Sequence, residues 1–390
     1  MKNVLYLSLF FVLAATFVSC VPDEEEIREE YYYPEELQAL QATLDLPAKP
    51  HDYSIELPRH LTAAGLGARN INKDMATLGR VLFYDEALSV SGEVSCASCH
   101  AQALAFSDSK AASDGVNGNV TERNSIALGS VASFAAYYGI DVFGSFGIPF
   151  MWDNRFGTAR EQARAAFLSE KEMGLTMEEL LATIDSKDYY KPLFRRAFGS
   201  TDVSEERMMG AVAEFIDGLG SFNSKFDQAA TNANAAFNMS MPFADFTDAE
   251  NNGKALYLAK CANCHSENFG RPVKTEANNG LDVNYADMGV GEGTNNPALN
   301  YTFKVPTLRN VMLSAPYMHD GRFETLEDVI DHYSKNIADH PKLSPELRDP
   351  NGQPKRFNFT EEEKADLVAF LNTLTDEGYL MEERYSDPFK

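Results

Sequence analysis

Two five-residue runs carry most of the chemistry in this sequence. Cys96-Ala97-Ser98-Cys99-His100 and Cys261-Ala262-Asn263-Cys264-His265 share the pattern C-x-x-C-H. Two thiols separated by two residues on a helical turn face the same way, and the residue that follows turns beneath them. Such a turn can bond one edge of a porphyrin through both sulfurs while the histidine takes the iron, so each run is expected to carry a covalently attached haem c. Paired C-x-x-C units also hold zinc, but zinc sites bring their pairs together over a short separation. Here one run starts at residue 96 and the other at 261, each with its own histidine, which favours two haems.

The remaining cysteine is Cys20, so no thiol is left over for a disulfide. Lys2, the apolar run Val4 to Val18 and the lipobox-like Phe17-Val18-Ser19-Cys20 read as a lipoprotein signal over residues 1–19; the run is too short for a comfortable membrane span. Cleavage before Cys20 and acylation there would anchor the chain to a membrane. Haem is attached covalently outside the cytoplasm in bacteria, so both signals point to the cell envelope, facing the periplasm or exposed at the surface. Residues 20–50, with the acidic run Asp23-Glu24-Glu25-Glu26, read as a flexible tether. A net charge of −24 over 390 residues excludes nucleic acid as a partner and suits a basic electron donor.

The elements that must position the two haems are helical. Met75, Leu78, Val81 and Leu82 recur at helical spacing behind a potential cap, Asn72. Thr-x-x-Glu/Asp starts at Thr176/Glu179, Thr247/Glu250, Thr325/Asp328 and Thr360/Glu363 predict further helices. The Thr247 helix runs into Cys261 as the Asn72 helix runs towards Cys96, and a last helix presents Leu367, Phe370, Leu371 and Leu374 on one stripe. The fold is therefore expected to be mainly α, with two cytochrome c-like haem domains packed together, 51–223 and 224–390. Residues 295–307 and 341–357 read as loops.

Four further segments extend the pattern: Trp152-Asp153-Asn154-Arg155, Glu172-Met173-Gly174-Leu175-Thr176, Lys304-Val305-Pro306-Thr307-Leu308-Arg309-Asn310 and Ala315-Pro316-Tyr317-Met318-His319-Asp320-Gly321. Together with the haem motifs, and in this order, they resemble the bacterial di-haem cytochrome c peroxidases and the related MauG oxidases, over roughly Asn72 to Leu374. The resemblance implies reduction of hydrogen peroxide at the N-terminal haem. There Glu172 would shuttle the proton and Gln162 orient the peroxide, both downstream of Trp152. Many family members block that iron with a histidine from the loop after the first motif. No histidine lies between His100 and His265, so the first iron is expected to be open; Met151 is the alternative ligand.

The second iron would be closed, in the resemblance, by a residue on the Thr325-Leu326-Glu327 helix. This is a methionine in the standard peroxidases and a tyrosine in MauG, and Tyr333 occupies the position here. His332 and Met318 compete for the role, but neighbouring helical residues point ~100° apart, so His332 and Tyr333 cannot both face the iron. His319 reads as a structural hydrogen-bonding residue. The family also implies a calcium ion held by the Asn124 side chain and the carbonyls of Ser314 and Pro316; the alternative for Asn124 is a helix cap. Trp152 is the single tryptophan. The tryptophan that members place between the haems is accordingly expected to be missing, with Tyr257, a phenylalanine or direct tunnelling in its stead. The stretch 137–151 is longer than the family leads one to expect.

Three readings remain open on these residues. One is a peroxidase fed by a small cytochrome or cupredoxin. Another is a MauG-like oxidase acting on a protein or small molecule, and the third is a plain electron-transfer dihaem cytochrome, against which Gln162 and Glu172 speak. Family members are often homodimers, which is expected here by resemblance alone.

Overall fold

A computed structural model describes residues 31–68, 70–129, 149–235 and 238–390. The expected signal at 1–19, the acidic run, Cys20 and most of 137–151 lie outside the described residues. Five helices set the plan: α1 (Lys73–Tyr84), α2 (Ala159–Leu168), α3 (Glu205–Asp217), α4 (Asp248–Lys260) and α5 (Glu361–Asn372). Their starts follow from local chemistry. The Asn72 side chain accepts from the backbone N–H groups of Asp74 and Met75 at 3.0 and 3.1 Å. All four expected Thr-x-x-Glu/Asp boxes close reciprocally, and Thr158/Glu161 and Ser224/Asp227 form two more, each satisfying N–H groups that have no partner inside the helix.

The same helix crossing occurs twice. A Cβ placed on Gly79 of α1 would lie 1.9 Å from the Ala211 carbonyl oxygen of α3 and 2.8 Å from the Phe215 Cβ. A Cβ on Gly253 of α4 would lie 1.9 Å from the Asp366 carbonyl oxygen of α5 and 2.8 Å from the Phe370 Cβ. Backbone touches backbone at both points, and a phenylalanine four residues on packs beside each contact. Phe215 meets Phe83 edge-on at 5.3 Å, and Phe370 meets Tyr257 at the same distance, arrangements that aromatic quadrupoles favour. Around the first crossing lies a core that includes Leu78, Phe83, Phe167 and Val212; around the second, one that includes Phe226, Tyr257, Phe269 and Leu374.

Residues 31–50 are not wholly a tether. A helix spans Pro34–Gln41, with proline at its first position, and Leu40, Leu44 and Leu46 are buried in the first core. The apolar spacing through Leu37, Leu40 and Leu44 gives this segment a face to bury, which outweighs its acidic surroundings. The far end of the chain also returns to that core: Tyr379 and Tyr385 are fully packed within it, and Leu44 bridges Phe389. The loop expected over 295–307 contains half of a two-strand ladder. Glu276–Ala277 pairs antiparallel with Phe303–Lys304, setting Lys304 opposite Glu276. Beyond the helix Leu326–Asp331 the chain widens into a π turn, His332–Asn336, a distortion that recurs at functional sites. Among the described residues, no helix is long and apolar enough to cross a membrane.

The crossings give a direct test. Gly79→Ala and Gly253→Ala should each lower unfolding free energy by about 1–3 kcal/mol through overpacking, although alanine is the better helix former. Denaturant unfolding of the haem-loaded protein measures this, and a stabilised variant would show that the backbones are not in contact.

Candidate haem sites

The first motif sits on a single turn, Cys96–Cys99, whose start is closed by the Ser95 N–H donating to Ser98 Oγ at 3.0 Å. His100 follows, with Nδ1 2.8 Å from the Phe106 carbonyl oxygen. A carbonyl can only accept, so Nδ1 carries the proton and Nε2 is left for the cavity that the ring lines. Ser125 Oγ braces the turn by donating to the Cys99 carbonyl at 2.7 Å and standing 3.2 Å from His100 Nδ1. The second motif repeats the device with a different carbonyl: His265 Nδ1 lies 3.0 Å from the oxygen of Pro306. Burial pushes both imidazoles below the ordinary histidine value, which keeps them neutral, the form that ligates metal.

These features fit haem better than zinc. All four cysteines are free and partly buried. Burial raises their thiols, to about 12 at Cys96 and Cys261 and about 11 at Cys99. Among the described residues, no three His, Cys, Asp or Glu side chains converge on a metal-sized point. Each motif instead faces its own cavity with an imidazole nitrogen prepared for an iron.

The two cavities are similar in volume, about 260 Å³ at His100 and 230 Å³ at His265, so their linings make the difference. Around the first stand Met151, Trp152, Arg155, Gln162 and Glu172. Gln162 comes from α2, and Glu172 from the turn after it. That turn is pinned because the Glu172 N–H donates to the Ser169 carbonyl at 2.9 Å and the Glu172 carbonyl accepts from the Val116 N–H at 3.0 Å. Burial raises the Glu172 carboxyl above the ordinary value, opposed by the Arg155 charge and a Ser169 hydrogen bond. A carboxyl so placed can exchange protons nearer neutrality than an exposed one.

Around the second cavity stand Cys261, Cys264, Asn279, Met318 and Tyr333. His332 is turned away: it is buried, and its Nε2 donates to the Asn279 carbonyl at 3.0 Å. Met318 accepts at sulfur from Asn279 Nδ2 at 3.4 Å. Burial drives the Tyr333 phenol well above its usual value, with Asn279 pulling it down. His319 is stacked on Phe303, ring centroids 3.7 Å apart.

One expectation is overturned here. Trp152 lines both cavities, so the chain does place a tryptophan between them, and that tryptophan is the W-D-N-R one. Its Nε1 donates to the Asn124 carbonyl at 2.9 Å, and its own carbonyl accepts from the Lys304 N–H at 2.8 Å. Asn124 begins no helix; its Nδ2 donates to the Lys110 carbonyl at 3.0 Å, its N–H donates to the His319 carbonyl at 2.9 Å, and it lines the second cavity with Ser314 and Pro316. Sequence reasoning missed Arg123, which grips Asp287 through Nε and Nη2 at 2.7 and 2.9 Å and also reaches Asp153. Three charged residues far apart in the chain give no local signal of such a cluster.

The geometry defines a class: a di-haem protein with two c-type sites of unequal lining. Residues 73–235 match the family model for di-haem cytochrome c peroxidase, and 250–375 match that for cytochrome c. The chain is 33% identical over 320 residues to the methylamine utilization protein MauG of Methylorubrum extorquens, covering 80% of each. It is 30% identical over 305 residues to the cytochrome c551 peroxidase of Nitrosomonas europaea, covering 78% of this chain and 80% of that one. Among solved structures, a MauG-like protein associated with microbial copper homeostasis superposes with a TM-score of 0.67 at 30% identity, over 88% of this chain and 98% of the other. A dihaem peroxidase of Burkholderia thailandensis shares the fold, with a TM-score of 0.64 at 21% identity over 88% and 98% of the two chains. The chain belongs to the family of di-haem cytochrome c peroxidases and MauG proteins, and is a haem peroxidase oxidoreductase with two haem c groups.

Replacing Cys261 and Cys264 together by alanine should leave one covalently bound haem per chain by intact mass, against two in the parent. Retention of both would contradict the attachment sites.

Proposed function

We propose that hydrogen peroxide is reduced in the cavity at His100, with Glu172 as the proton shuttle and Gln162 as the group that orients the peroxide. The single observation that carries this reading is convergence: Gln162 from a helix and Glu172 from the turn beyond it meet His100 around one cavity, and among the described residues no acidic side chain lines the cavity of His265. Bound haem supplies the iron at which the O–O bond is reduced, and two electrons and two protons convert one peroxide to two waters. Glu172 accepts the proton of the oxygen nearer the iron and returns it to the departing one. The Gln162 amide, able both to donate and to accept, holds the departing oxygen towards that carboxyl.

In this reading Tyr333 would hold the second haem, which would supply the entry point for electrons from an external donor, and Trp152 lines the cavities of both haems. A small cytochrome or cupredoxin is the donor, and its positive face is drawn to the acidic protein. A MauG-like reading is favoured by one observation, the tyrosine rather than a methionine at position 333; there the electrons would come from a bound protein or small molecule. A calcium ion held by Asn124, Ser314 and Pro316 would stiffen the junction beside Trp152. Acylation at Cys20 would hold the enzyme to a membrane in the cell envelope.

Glu172→Gln should lower kcat/KM for peroxide by about 10²–10⁴ with the haem spectra unchanged. In the parent, kcat/KM should rise with pH through a value above the ordinary carboxylate range, because the shuttle must start ionised; the variant should lose that limb. Parent-like turnover in the variant would remove Glu172 from the chemistry. Tyr333→Met, exchanging an anionic oxygen for a thioether, should raise the midpoint potential of the second haem, measured by spectroelectrochemistry; an unmoved potential would place the ligand elsewhere.

A further inference from the structure

Lys304 is 3% exposed and lines both haem cavities. It projects from the strand Phe303–Lys304, whose neighbours Phe303, Val305 and Pro306 all line the His265 cavity. Its ammonium has three donors, yet the only acceptor it meets among the described residues is the carbonyl of Pro149. The strand partner Glu276 is opposite; its Oε2 accepts from Thr275 and Asn154, and its carboxylate comes within no salt-bridge distance of Lys304 among the described residues. Burial pushes the lysine down to about 7, only partly opposed by the Glu276 charge. A buried ammonium in this condition is costly unless an anion completes it, and few proteins leave such a group so placed without one.

The direction of the side chain chooses the cavity. Pro149 leads directly into Phe150 and Met151, which line the cavity of His100 and not that of His265. Lys304 therefore starts on the wall of the second site and ends at the first. Haem carries two propionate carboxylates, which are the anions that arrive when the cavities are filled.

We propose that Lys304 forms an ion pair with a propionate of the haem held by His100, so that a residue of the C-terminal half completes the N-terminal site. It is a positioning residue: it touches the cofactor's carboxylate and tunes the first haem from the far side of the junction. The proposal rests on the haem reading of that cavity. A parent protein without two bound haems would sink that reading, whereas two haems with unmoved potentials in the variant would sink only the lysine assignment.

Lys304→Met keeps much of the length and removes the charge, and Lys304→Arg keeps the charge. Spectroelectrochemistry on each, with two haems per chain confirmed by mass, should show a lower midpoint potential at the His100 haem in Lys304→Met. A cation removed from beside a haem makes its oxidised form easier to keep. The His265 haem should shift less, and Lys304→Arg should restore the parent value. Equal shifts at both haems, or none, would overturn the proposal. A crystal structure of the loaded parent decides the matter even if the methionine variant fails to accumulate. Lys304 Nζ should lie within hydrogen-bonding distance of a propionate oxygen of the first haem; an ammonium bonded to Pro149 alone, or to a propionate of the second haem, would refute it.

Discussion

Each half of the molecule hangs on a helix crossing in which only hydrogen fits between the two backbones. Gly79 against Ala211 and Gly253 against Asp366 bring the paired helices as close as peptide groups allow. The C-x-x-C-H turn lies downstream of the first helix of each pair, so its cysteines and histidine are held by a scaffold that has no side chain to flex at its centre. The tight crossing leaves the adjoining phenylalanines to fill the volume, Phe215 in one half and Phe370 in the other. Close packing of this kind has few alternative arrangements, which suits a centre whose iron ligand must be oriented to a fraction of an ångström.

On these matched scaffolds the functional groups are unequal. The two imidazoles are oriented alike, through carbonyls at Phe106 and Pro306, but one faces an acid and an amide and the other a phenol and a thioether. Between them the junction is polar and closely bonded: Trp152 to Asn124, Lys304 to Trp152, Arg123 to Asp153 and Asp287. The last of these ties residues of the first half to one of the second, so the relative placement of the cavities rests on charge-assisted hydrogen bonds as well as on apolar contact.

What could be read from sequence was what is decided locally. The haem turns, the Asn72 cap and the four capping boxes each lie within five residues, and each appears as expected. The convergence of Gln162 and Glu172 on His100 was readable through their order in a recognised pattern, not through any physical periodicity. Failures came where distant segments decide. Residues 31–50 read as part of a tether from their acidic composition, whereas the core that buries Leu40 and Leu44 is built largely by helices that lie later in the chain. Trp152 could not be placed between the cavities without knowing that Lys304 and Asn124 flank it. Lys304 itself reads as a surface charge, as lysines usually are, and only its burial makes it informative.

The proposed function turns on asymmetry: a first iron at His100 left open, with Glu172 as its proposed proton shuttle, beside a second that Tyr333 would close. The most direct measurement adds hydrogen peroxide to the fully oxidised, two-haem protein, with no prior reduction, and follows the haem spectra in a stopped-flow instrument. A prompt spectral change that consumes about one equivalent of peroxide is expected, because no histidine stands between His100 and His265 to block the first iron. A protein that stays inert until one haem has been reduced would contradict the claim and show that another side chain, with Met151 the nearest candidate, closes the first site at rest.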